Sequence, residues 1–277
     1  MEENIINYFR SKPRDTNNFK YMEEFIKNIT REAGLAVLEK FKKVGIAYTK
    51  TNISDVVTEA DLVSNKIIVE AIKTKYPEHG IISEEIPAEG IDREYVWIID
   101  PLDGTRNFAT KTPLFGVMVA LTKNKVVQMS VIFDPVHDEF FFAKFGKGAF
   151  LNGERIHCSE TKEWEHSFGC ANASLSPNKV AYFNAIAAIA KDKSFWMSGF
   201  GSVATASTYV ADARRDWYCS SGSKVWDYAP AALMMSEAGC VVTNFRGEPW
   251  TLSDTNIVSA NKYLHPQLLK IAQESIK

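Results

Sequence analysis

The stretch YVWIIDPLDGTRNF, residues 95–108, decides how the rest of the chain is read. An apolar, strand-like run, Tyr95–Ile99, leads into Asp100, and after Pro101 and Leu102 comes Asp-Gly-Thr at 103–105. A buried strand that ends in acidic residues and a glycine delivers carboxylates to one edge of a sheet. Aspartates at such a turn often do no more than satisfy nearby backbone N–H groups. Alternatively, the loop holds an anion or a cation.

The bulk composition narrows the choice. The chain has 277 residues, enough for one large core or two modest lobes. Hydrophobic residues make up 45% and charged residues 24%, as in ordinary globular proteins. A net charge of −2 gives no overall electrostatic footprint for nucleic acid. Apolar runs such as GVMVAL at 116–121 are too short to span a bilayer, and the first residues show no secretory signal, so a cytoplasmic protein without membrane association is expected. Cys158, Cys170, Cys219 and Cys240 are far apart, without a C-x-x-C pair, which predicts reduced thiols and no zinc site.

Working outward from 95–108, the apolar period over Tyr21–Val44 predicts a helix, as does that over about 61–75, which YPEHG terminates. GIIS, YVWIID, FGVMVALTK, VVQMSVIFD and EFFFAKF read as strands, with 116–145 forming an antiparallel meander. In the second half, helices and strands alternate: helix NKVAYFNAIAAIAK, strand SFWMSG, helix VATASTYVADA, strand DWYCS, helix WDYAPAALMMSEAG, then strands CVVTNF and NIVSA. This pattern predicts a layered α/β architecture, divided into an N-terminal lobe over 1–155 and a C-terminal lobe over 156–277. His79 and His137 fall in turns and are expected to be solvated.

Taken singly, the acidic motifs have structural readings. Thr58-x-x-Asp61 resembles a capping box, Glu84 ends a strand, and Asp227 opens a helix. Taken together, Asp61, Glu84, Asp100, Asp103 and Asp227 all fall at element ends, where they can converge on one cleft. Converging carboxylates repel one another unless cations hold them. All-oxygen ligands without nearby histidine or cysteine suit magnesium rather than zinc. The N–H groups of Gly104 and Thr105, at a helix start, supply anion donors. A phosphatase of the haloacid-dehalogenase type would need an aspartate nucleophile where Pro101 stands, and a later Gly-Asp that the chain lacks.

On these motifs the chain resembles the inositol monophosphatase family of magnesium-dependent, lithium-sensitive phosphatases. WIIDPLDGTRNF at 97–108 matches the family's first signature and WDYAPAALMMSEAG at 226–239 its second. Residues 55–61, 81–85, 150–153 and GSVA at 201–204 match further elements in family order. The resemblance implies an αβαβα sandwich of the inositol monophosphatase and fructose-1,6-bisphosphatase type, usually a homodimer. It implies one Mg2+ on Glu84, Asp100 and the Leu102 carbonyl, a second on Asp100, Asp103 and Asp227, and a weaker third on Glu84 and water, with Mn2+ as a substitute. Gly104 and Thr105 would seat the phosphate with Asp103 and Asp227 beside it. Thr105, with Asp61 or Glu84, would orient and deprotonate the attacking water. Lys50 matches a lysine often found near the metals, and reads equally as an exposed loop residue.

The implied activity is hydrolysis of a small sugar or polyol phosphate such as inositol 1-phosphate, by direct attack of metal-activated water. Fructose 1,6-bisphosphate, histidinol phosphate and a 3′-phosphoadenosine nucleotide are the alternatives within the family. A non-catalytic, partner-binding protein on the same fold is the alternative of another class. Inositol-preferring members carry an acidic residue seven positions before the Trp-Asp aspartate, where this chain has Ser220. A serine there would meet sugar hydroxyls as a weaker, uncharged acceptor.

Overall fold

The computed structural model describes residues 19–43, 58–173 and 196–274. Lys50, Asp55 and the helix expected over 178–191 lie outside them. The described residues open with two helices, α1 (Phe19–Lys43) and α2 (Glu59–Lys75), close to the expected bounds. An eight-stranded sheet follows: β1 (Gly80–Ser83), β2 (Ile86–Glu89), β3 (Tyr95–Asp103), β4 (Gly116–Lys123), β5 (Val126–Asp134), β6 (Glu139–Lys144), β7 (Gly148–Leu151) and β8 (Glu154–Ile156). Its order is β2-β1-β3-β4-β5-β6-β7-β8; β1 and β3 run parallel and every other pair is antiparallel. A five-residue helix, α3 (Thr105–Ala109), leaves the end of β3.

The second sheet comprises β9 (Phe168–Ala173), β10 (Trp196–Ser198), β11 (Trp217–Ser221), β12 (Val241–Thr243) and β13 (Asn256–Ala260), in the order β10-β9-β11-β13-β12. Helices α4 (Val203–Ala211) and α5 (Val225–Glu237) interleave with these strands, and α6 (His265–Glu274) follows them.

Side-chain parity along β3 explains the layering, because successive residues of a strand face opposite sides. Tyr95, Trp97 and Ile99 join the core formed with α1 and α2, whereas Ile98 packs with Ala229 of α5. The other face of the large sheet, through Met118, Ile132 and Phe141, shares a core with α4 and α5, which also packs Cys170 and Tyr218 of the second sheet. The far side of the second sheet buries Trp217, Cys219 and Val258 against Leu268 and Ile271 of α6. The layers therefore run α1/α2, sheet, α4/α5, sheet, α6, the expected αβαβα sandwich. At one point the packing needs a glycine: a Cβ on Gly169 would lie 1.8 Å from the Trp217 ring, which stacks on Trp164 at 5.2 Å.

His79 departs from the expectation of a solvated turn histidine. It is buried between Tyr76 and Tyr95, each ring 4.8 Å away, and its Nδ1 accepts the Trp97 Nε1–H at 3.1 Å. Burial lowers its pKa, so the imidazole is neutral there. Sequence reading missed this because the aromatic cage draws on Tyr95 and Trp97 of β3 as well as on Tyr76, the residue that ends α2.

Candidate active site

The site begins with an irregularity in β3. Asp100 pairs with Met118 and Asp103 with Gly116, so three steps along β3 oppose two along β4. In a regular strand, residues three apart face opposite sides. The extra residue of a bulge cancels that offset and allows both aspartates to turn to one side. Pro101 suits this place, because it has no N–H to lose from the ladder. The freed groups are paired locally: Leu102 N–H donates to Asp100 Oδ1 at 3.0 Å, and Ser64 Oγ of α2 donates to the Pro101 carbonyl at 2.7 Å.

Two helix starts complete the constellation. Asp61 is the third residue of α2, where Oδ2 accepts the Thr58 N–H at 2.8 Å and the Thr58 hydroxyl at 2.6 Å. The capping reading is therefore correct, but it uses one oxygen only. Oδ1 is left to accept the Thr105 hydroxyl at 3.1 Å, a hydroxyl that also lies 2.9 Å from the Leu102 carbonyl. Asp227 is likewise the third residue of α5, with Oδ2 accepting the Lys224 N–H at 2.7 Å.

Asp100, Asp103 and Asp227 each present an oxygen within 4.8 Å of the others. Asp100 and Asp103 are buried, and Asp227 is partly so. Burial, then the charges of Glu84, Asp103 and Asp227, pushes Asp100 well above the carboxylate range. Burial and the Asp227 charge push Asp103 up to about 7, although Ser202 and the Val203 and Ala204 amides oppose the shift. Asp227 and Asp61 are raised chiefly by burial. Glu84 lies at the exposed rim, outside the tight trio, and is raised by lost hydration and by the Asp227, Glu85 and Asp103 charges. Burial and mutual repulsion disfavour the negative charges of this cluster unless cations offset them, and its all-oxygen donors fit hard divalent cations such as Mg2+ or Mn2+.

Gly104 has φ +87°, and a Cβ there would lie 2.9 Å from the Leu114 carbonyl oxygen, so only glycine fits without strain. It places its own N–H and that of Thr105 at the start of α3, where no preceding turn can accept them.

The family model of the inositol monophosphatase family matches residues 19–277. The chain belongs to the inositol monophosphatase family. It is 36% identical to a Nus factor SuhB of Haemophilus influenzae, over 86% of this chain and 91% of that one. It is 30% identical to a fructose-1,6-bisphosphatase/inositol-1-monophosphatase of Thermotoga maritima, over 92% and 96%. Among solved structures, the extragenic suppressor protein suhB of Bartonella henselae superposes with a TM-score of 0.84 at 27% identity, covering 91% of this chain and 98% of that one.

Against the inositol monophosphatase pattern, the structure gathers Asp61, Asp100, Leu102, Asp103, Gly104, Thr105 and Asp227, with Glu84 near enough to be felt electrostatically. Ser220, expected to meet substrate hydroxyls, is fully buried, and its Oγ accepts the Tyr228 hydroxyl at 2.9 Å. Ser223 is partly exposed, and its hydroxyl bonds Asp227.

Sequence reading assigned no role to Ser202. Its hydroxyl donates to Asp103 Oδ2, which also accepts the Ala204 N–H at 2.7 Å, while Oδ1 accepts the Val203 N–H at 3.1 Å. The N-terminus of α4 thus anchors Asp103. Nor was Asn107 singled out: its Nδ2 ties the Leu114 and Phe200 carbonyls together, each at 2.7 Å. The one available signal was GSVA before an apolar helix, an N-cap pattern.

Proposed function

We propose that this chain is a Mg2+-dependent phosphomonoesterase acting on a small sugar or polyol phosphate, with Asp100, Asp103 and Asp227, joined by Glu84 and the Leu102 carbonyl, as metal ligands. The observation that carries this is the buried aspartate trio beside the Asp61–Thr105 hydrogen bond. When bound, the metal would supply the positive charge that offsets the phosphate and favours water in its deprotonated form. The Gly104 and Thr105 amides hold phosphate oxygens at the start of α3. Thr105 Oγ1 takes a proton from the attacking water as it passes its own to Asp61 Oδ1, a carboxylate that burial makes more basic than an ordinary aspartate. No aspartate becomes covalent.

Relatives named for fructose-1,6-bisphosphatase and inositol-1-monophosphatase activities support a sugar or polyol ester, and the buried Ser220 supports a loose rather than a strict inositol preference. Histidinol phosphate and a 3′-phosphoadenosine nucleotide are the weaker substrates of the expected panel. A homodimer, lithium inhibition and a cytoplasmic location belong to the same reading. None of the described helices is long and apolar enough to cross a membrane.

The test is phosphate release from a panel of these esters with Mg2+ or Mn2+. Asp100→Asn, which keeps the side-chain shape, is expected to abolish release, and oxygen-18 water in a single turnover is expected to label phosphate and no carboxylate. The 36% identity to a protein named Nus factor favours one second reading, a non-catalytic protein that binds a partner. Metal binding without hydrolysis of any ester in the panel would select it.

A further inference from the structure

Two cysteines that the sequence separates by most of the second half of the chain meet in the fold. Cys158 follows β8, the last strand of the large sheet, and Cys240 lies between α5 and β12. The Cys158 N–H donates to the Ala238 carbonyl at 2.9 Å, and the Cys158 Sγ lies 3.7 Å from where a Cβ on Gly239 would stand. That backbone contact sets Cys158 on the turn that leads into Cys240, and the Cys158 side chain packs against the same core cluster that contains Cys240. Cys158 is partly exposed, whereas Cys240 is buried in the core between the sheets.

We propose that Cys158 and Cys240 form a peroxide-reactive dithiol that closes reversibly to a disulfide, a modification site separate from the carboxylate cluster. The environment divides the labour. The Cys240 thiol, acting as donor, lowers the pKa of Cys158, while Cys240 itself is held well above the usual thiol range by that same interaction and by burial. Cys158 is therefore the accessible nucleophile and Cys240 the resolving thiol. In the first step the Cys158 thiolate sulfur attacks one oxygen of hydrogen peroxide. The O–O bond breaks, hydroxide leaves and is protonated to water, and Cys158 becomes a sulfenic acid. In the second, the Cys240 sulfur loses its proton and attacks the Cys158 sulfur. The S–O bond breaks and the departing hydroxide takes up a proton, forming a second water. Two thiols supply the two electrons that reduce one peroxide. The resulting bond would tie the end of β8 to the C-terminal end of α5, the helix whose first turn presents Asp227.

Peroxide titration of the full chain, followed by non-reducing peptide mass spectrometry, tests this. The expected result is a Cys158–Cys240 cross-linked peptide, with loss of two hydrogens from the intact mass and full reversal by dithiothreitol. Cys240→Ser is expected to leave a dimedone-reactive sulfenic acid at Cys158, and Cys158→Ser to abolish both products. Wild-type oxidation that proceeds to sulfinic acid at Cys158 with no cross-link would overturn the proposal. So would a bridge that uses Cys170 or Cys219, or dimedone labelling that persists in Cys158→Ser.

Discussion

Asp61 shows how a single side chain serves both helix and chemistry. One oxygen caps α2 through Thr58 and the other receives the Thr105 hydroxyl. Removing that hydroxyl should break the route from water to Asp61 without disturbing the cap. Thr105→Ala is therefore expected to lower kcat by about a hundredfold to ten-thousandfold, the usual range for a positioned proton-transfer group, with KM little changed. Thr105→Ser should restore most of the rate, and steady-state kinetics on one ester decides both.

The acidic trio also predicts a pH effect. Asp100, Asp103 and Asp227 have folded pKa values above their ordinary values, so the metal-free folded chain binds more protons than the unfolded chain. This contribution to stability is full below the ordinary carboxylate pKa and is lost as pH rises through the folded values, with Asp103 at about 7. The melting temperature of the metal-free protein should fall between mildly acidic and mildly alkaline pH, and saturating Mg2+ should remove or invert that slope. A metal-free melting temperature that rises over this range would contradict the burial of the trio.

Among the elements, α4 matters beyond its own packing, because its N-terminus holds both oxygens of Asp103 from about a hundred residues away in sequence. Ser202→Ala leaves a buried carboxylate short of a donor, which costs about 1–3 kcal/mol by the usual penalty for an unmade buried hydrogen bond. Urea unfolding of the metal-free variant measures it. Helices α1, α2, α4 and α5 and the long strands of the first sheet were legible from hydrophobic period, since burial on one face leaves its mark every 3.6 or 2 residues, whereas α6 was not read. The bulge between Asp100 and Asp103 was not, because it depends on the register of β3 against β4, although Pro101 marks its place. Ser202 was not linked to Asp103 for the same reason: the contact joins two elements whose sequences carry no sign of each other.

For the whole molecule, the chain passes from the first sheet to the second between Ile156 and Phe168, yet the two sheets share the core around α4 and α5. Residues 1–155 alone would leave Met118, Ile132 and Phe141 uncovered on one sheet face. That fragment is expected to lack fixed packing, with near-UV circular dichroism largely lost and a hydrophobic dye bound. Loss of fixed packing in that fragment would show that the two lobes expected from sequence fold as one unit.

The sequence by itself determined the family and the longer elements of the first sheet, and marked the acidic residues proposed for the site, because hydrophobic periodicity and contiguous motifs are local properties; β2, β9 and α6 it left unread. Tertiary structure alone decided which way those residues face. The β3 bulge turns Asp100 and Asp103 to one side, α4 anchors Asp103, Ser220 sinks beneath Tyr228, and Cys158 meets Cys240. Each of these depends on the register and packing of segments distant in the chain, and burial, which sets the pKa of every group in the site, exists only once those segments have closed on one another.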